Sequence, residues 1–157
     1  MKISREWATI AEIVSAIAVI FTLGFLAFEM RANTNAIHEQ TYQALTEQLN
    51  DYRTHLIDSD RFKADAKLGK GGWDSLSYEE KQRIRLPYMN LFGVYESAYF
   101  ANERHVIGER EWERFEIGIC RNYLQMVEDR TWEPEGFTSM NQILTPDFAD
   151  YVTKSCK

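Results

Sequence analysis

A run of apolar residues at positions 7–28, WATIAEIVSAIAVIFTLGFLAF, constrains this chain more than any other feature. It carries one charged residue, Glu12. As a helix the run is about 33 Å long, close to the ~30 Å hydrocarbon thickness of a bilayer. The uninterrupted stretch at 13–28 falls short of the roughly 20 residues a span needs, so Trp7, Ala8, Ile10 and Ala11 must complete it. Trp7 stands where an interfacial aromatic belongs, and Arg5 and Arg31 flank the run at headgroup depth. The expectation is an N-terminal flank and transmembrane anchor over residues 1–31 and a domain outside the bilayer over residues 32–157.

Two other readings compete. A buried helix of a soluble protein fits poorly, because apolar residues surround the whole circumference. A cleaved signal peptide would use Lys2 and Arg5 as its basic start. The site before Asn33, however, reads Met30-Arg31-Ala32 and lacks the small residue needed three positions upstream of the cut. An uncleaved single-pass anchor suits the sequence better. Basic residues outnumber those beyond the run on its N-terminal side, which sets the N-terminus in the cytoplasm and the domain outside it.

Small and polar residues form a stripe on this helix: Ala8, Ala11, Ser15, Ala18 and Thr22. Their spacing alternates between three and four, a heptad seam. Small seams let helix backbones approach closely in lipid, where packing drives association. Glu12 lies beside the stripe. An ionised carboxylate at that depth is costly, so it is expected protonated, paired, turned toward protein, or snorkelling to the headgroups. The functional reading of the stripe is a contact within an assembly, either a homo-oligomer or a membrane-protein partner.

Neither Gly nor Pro interrupts residues 25–68, so the anchor helix can continue into water. His38, Tyr42, Leu45, Leu49, Tyr52 and Leu56 then recur at alternating four and three, an apolar seam for docking. A short helix is expected at 60–68, capped by Ser59 and ended by Gly69, with residues 69–72 as a flexible turn. Ser77-Tyr78-Glu79-Glu80 is a capping box that starts a helix to about Asn102, with Pro87 expected to kink or restart it. Its inward positions are Ile84, Tyr88, Leu91, Phe92, Tyr95, Ala98 and Tyr99. A further helix runs from Glu109 to about Arg130, with Trp112, Phe115, Ile119, Tyr123, Met126 and Val127 inward. A helical turn at 139–144 and a last helix starting at Thr145-Pro146-Asp147 complete the pattern. The fold class is all-α: an N-terminal transmembrane helix continuing into a small helical bundle built on an antiparallel helix pair.

The net charge of −6 argues against a nucleic-acid partner, which would require a basic footprint. The sequence offers no nucleophile motif, cofactor fingerprint or metal-ligand spacing, so no catalytic, cofactor-binding or metal residues are assigned. Cys120 and Cys156 are the only cysteines. Two free thiols are the simplest reading, and a bridge becomes available if the domain faces an oxidising compartment. Glu96, between Tyr95 and Tyr99 on an aromatic-rich helix, is a candidate buried carboxylate with a raised pKa, hydrogen-bonded to a tyrosine or orienting an apolar ligand.

The anchor and several later residues resemble a group of small bacterial single-pass membrane proteins with a helical domain and no known activity. The shared features are Trp7, the step Ile10-Ala11-Glu12-Ile13, and the exit Glu29-Met30-Arg31-Ala32-Asn33-Thr34-Asn35. Tyr95-Glu96, Tyr99 and Trp112 follow the same pattern. The resemblance implies a bacterial inner-membrane setting. It also implies more basic residues after the anchor than this chain has, which would favour a cytoplasmic domain. Assembly, as a homo-oligomer or an accessory subunit, is the expected function. A membrane-tethered sensor or small apolar ligand-binding module is the alternative.

Overall fold

The computed structural model describes residues 3–55, 59–133 and 136–157, all-α throughout with no strand among them. Helix α1, Ile3–His55, is unbroken, as the absence of Gly and Pro after Phe25 allows. The chain divides into two units, Met1–Glu39 and Gln40–Lys157, where residues 1–31 and 32–157 were expected.

In the first unit the described side chains from Trp7 to Ile37 are all exposed. Trp7 is 66% exposed and Phe21 73%. The helix is long and apolar enough to cross a membrane, and none of its apolar window is buried in protein. A core helix of a soluble protein would be mostly covered within its own chain, and this segment is not. The Thr22 hydroxyl donates to the Ala18 carbonyl at 2.9 Å, and Thr34 to Met30 at 2.9 Å. These back-bonds satisfy both hydroxyls without water.

The second unit is a helical bundle. From the seam on α1, Leu45 is buried, and Tyr42, Leu49 and Tyr52 pack half-buried against the same core. Leu56 lies outside the described residues. Helix α2 spans Ser59–Gly71, longer than expected. Gly69 and Gly71 are helical, and the left-handed turn falls on Gly72, with φ 70°, whose N–H donates to Leu68. The first glycine therefore does not end the helix, because nothing there demands positive φ. A single 3-10 turn, Trp73–Ser75, follows and buries Trp73 in a small cluster with Ala64, Leu68, Leu76 and Ile84.

Helix α3, Tyr78–Glu103, starts at the expected capping box. The Ser77 N–H donates to Glu80 Oε2 at 2.7 Å, and the Glu80 N–H returns to the Ser77 hydroxyl at 3.3 Å. Pro87 sits inside the helix without a restart. Helix α4, Glu109–Glu128, runs antiparallel to α3: Tyr99 meets Trp112, Tyr95 meets Asn122, and Phe92 meets Trp132. Phe115, Ile119 and Met126 are buried, but Val127 is 48% exposed. With Met126 fully inward, its neighbour lies about 100° around the helix and faces out.

Both long helices of the pair end in the same manner. After α3 the Val106 N–H reaches Ala101 and His105 adopts φ 56°; after α4 the Thr131 N–H reaches Met126 and Arg130 adopts φ 58°. These are left-handed caps on residues other than glycine. Helix α5, Met140–Ile143, and helix α6, Pro146–Ser155, pack the open end with Met140, Phe148 and Val152 fully buried.

Cys120 on α4 and Cys156 after α6 form a disulfide, with Cα atoms 4.8 Å apart. The expectation of two free thiols is corrected. Docking of α6 on α4 brings residues 36 positions apart into bridging distance, which spacing alone could not reveal.

Candidate functional site

Glu96 is half-buried on α3, and its partner is not a tyrosine. Its Oε1 accepts from the Thr145 N–H at 2.7 Å and from the Thr145 hydroxyl at 2.8 Å. Thr145 is the N-cap of α6, yet its hydroxyl does not cap that helix. Glu96 thus ties the start of α6 to α3 and places a carboxylate at a helix N-terminus, where the dipole favours it. Tyr99 packs in a filled aromatic cluster with Trp112, Phe148 and Tyr151, ring centroids 5.0–6.3 Å apart. Burial, with Glu116 accepting the Tyr151 hydroxyl at 2.6 Å, pushes the Tyr151 phenol well above its usual range. Of Tyr95, Glu96 and Tyr99, it is Tyr95 that lines the large cavity between the helices.

That cavity, about 650 Å³, opens between the second half of α1, α2, α3 and α4. Each helix presents one face to it. From α1 come Tyr42, Thr46, Leu49, Tyr52 and Arg53; from α3, Tyr88, Leu91 and Tyr95. From α4 come Arg114, Ile117, Gly118, Arg121 and Asn122, the i, i+3, i+4, i+7, i+8 set of one helical face, with Phe115 at its inner edge. Helix α2 contributes Arg61. Its size falls within the ~300–1,000 Å³ common for small-molecule sites.

The chemistry of the lining is unusual for an acidic chain. Four arginines face the cavity, and no carboxylate lines it among the described residues. Arg53, Arg114 and Arg121 have no carboxylate within 4.0 Å among those residues. Arg114 Nη1 donates to the Tyr42 hydroxyl at 3.0 Å, and Arg53 Nη1 to Asn50 at 3.1 Å. Arg61 is only 7% exposed. Its Nε meets Asp65 at 3.3 Å, and its guanidinium lies over the Tyr88 ring at 5.4 Å. Its buried Nη1 has no hydrogen-bond partner.

The tyrosines are held as hydrogen-bonding phenols. Burial pushes Tyr52 up to about 12, although the Arg61 charge opposes this. Burial likewise raises Tyr88 and Tyr95, with Arg61 and Arg121 respectively pulling back. The Tyr95 hydroxyl accepts from Asn122 Nδ2 at 3.0 Å. Gly118 makes this approach possible, because a Cβ there would lie 2.8 Å from the Tyr95 oxygen.

Sequence reasoning named Tyr42, Leu49 and Tyr52 as a packing seam and Tyr88, Leu91 and Tyr95 as core positions. It did not name the arginines. Arg114 and Arg121 sit seven apart on one face of α4, a readable signal, but their convergence with Arg53 and Arg61 exists only in the folded domain. The stripe residues Ala8, Ala11, Ser15, Ala18 and Thr22, with Glu12 beside them, are exposed on the apolar part of α1.

Searches against protein-family models, curated proteins and solved structures match nothing to this chain, so the functional reading rests on its own residues.

Proposed function

We propose that the chain is a membrane-tethered binding module: the apolar part of α1 anchors it, and the domain of residues 40–157 takes a small molecule into the arginine–tyrosine cavity. The observation that carries this reading is the cavity, about 650 Å³, against about 280 Å³ for the cleft between Trp73 and Trp132. Mixed apolar and polar walls, with a few convergent charged groups, are what ligand sites require. The Cys120–Cys156 bridge supports placing the domain on the oxidising side of the membrane. The excess of basic residues before the anchor favours the same side. In a bacterial inner membrane that side is the periplasm, against the cytoplasmic domain that the resemblance favours, because this chain lacks the group's extra basic residues after the anchor.

The test is native mass spectrometry of the purified chain after exposure to a metabolite extract. Thr46 lines the cavity, and Thr46→Trp would fill it. The wild type is expected to carry a small adduct that Thr46→Trp lacks, with helicity equal in both. Equal adducts, or none in either, would contradict the reading.

A second reading, assembly as a homo-oligomer or accessory subunit, is favoured by the exposed stripe on α1 with its heptad spacing. Ser15→Leu should then lower the mass of the particle extracted in mild detergent while leaving the domain folded. An unchanged mass would count against assembly through that face.

A further inference from the structure

The lining of the cavity specifies a class of ligand. We propose that it is a site for an organic anion, its phosphate or carboxylate head on the arginines and its flat or apolar body among the tyrosines. This rests on the binding-module reading above and goes further by naming the chemistry recognised.

Arg61 supplies the anchor point. A guanidinium offers a planar fork of donors matched to carboxylate and phosphate oxygens. Asp65 engages only Nε, and Nη1 is buried without a partner. Nη1 is sealed from solvent, so an anion in the cavity would meet Arg61 through the charge that the guanidinium brings to the wall, away from bulk water. The Arg61 guanidinium also lies 5.4 Å over the Tyr88 ring, a cation–π contact that holds it at the wall. Arg53, Arg114 and Arg121, exposed at the rim, add positive potential, with no carboxylate within 4.0 Å among the described residues, although Glu111 and Glu113 line the cleft beside Arg114. In a chain of net charge −6, this is a local reversal of sign, and concave walls concentrate such a field.

The rest of the wall suits an organic body rather than a bare ion. Leu49, Leu91, Phe115 and Ile117 are apolar, and the rings of Tyr42 and Tyr52 offer flat contact surfaces. The buried phenols remain protonated at neutral pH and do not repel an anion. The head could belong to a soluble metabolite or to an anionic lipid; both present the same chemistry to Arg61.

The experiment is a titration of the full chain in phosphatidylcholine nanodiscs, with empty discs as blank. The probes are 1-naphthyl phosphate and its neutral counterpart 1-naphthol. The expected result is saturable one-to-one binding of the phosphate, with 1-naphthol weaker by roughly tenfold or more. Arg61→Gln should weaken the phosphate by a similar factor. Arg121→Gln, at the exposed rim, should weaken it about threefold and flatten its salt dependence, which keeps the test valid if the buried variant misfolds. Loss of affinity when phosphatidylglycerol is added to the discs would uphold the anion site and name a lipid head as its source. Unchanged affinity would uphold it with a soluble source. Equal binding of both probes, unaltered by either arginine variant, would overturn the anion class and leave the binding module standing. No saturable binding of either probe would overturn both.

Discussion

Glu80 and Arg61 illustrate how neighbours decide what a charge does. Glu80 accepts from Lys67 Nζ at 2.8 Å and from the Ser77 N–H, and the Lys67 bond above all holds its carboxyl down at about 2, against an ordinary 4.5. Because the folded value is depressed, its stabilisation is fully present above pH 4.5 and is lost as pH falls toward 2. Urea midpoints across that window should fall more steeply for the wild type than for Glu80→Gln; parallel curves would contradict this. The Ser77 box was legible because it is local, four residues in a row. Arg61 was not. Its burial depends on Tyr52 and Tyr88, which other helices deliver. Glu96 stands out in sequence by its place beside inward aromatics, but its partner Thr145 lies 49 positions away. No spacing rule connects the two.

Helix periodicity revealed α3 and α4 and their inward faces, because burying an apolar stripe every three or four residues leaves a mark in sequence. The ends were less legible. Gly72 rather than Gly69 carries the left-handed turn, and His105 and Arg130 make left-handed caps without glycine at all. Which residue terminates a helix is decided by where the chain must go next. The disulfide is an element-scale feature of the same kind, since it joins α4 to the chain after α6. Cross-linking residues 36 apart should contribute about 4 kcal/mol by restricting the unfolded chain. Cys156→Ser is therefore expected to lower the unfolding free energy by about that amount, read from urea titrations without reductant. A midpoint indifferent both to the substitution and to added reductant would show that the bridge does not form.

For the whole molecule, the apolar helix was the plainest statement in the sequence and remains so in the structure: α1 carries it continuously into the residues that wall the cavity. The cavity itself was foreseen only as a space between aromatics served by Glu96. Its real position, on the side of Tyr95 rather than Tyr99, follows from which aromatic cluster α5 and α6 fill. Phe148 and Tyr151 close one side of the α3–α4 pair, and the half-buried residues of α1 leave the other side open. A seam of Tyr42, Leu49 and Tyr52 reads identically in sequence whether it packs tightly or lines a pocket.

The proposed function requires a tethered cavity, open to organic anions on the oxidising side of the membrane. Sealed vesicles of known sidedness test it most directly, using 1-naphthyl phosphate on a timescale short of its permeation. Right-side-out vesicles containing the chain should bind the probe saturably, and those containing Thr46→Trp should not. Saturable binding confined to inverted vesicles would put the domain in the cytoplasm, and binding no greater than in vesicles lacking the chain would remove the site.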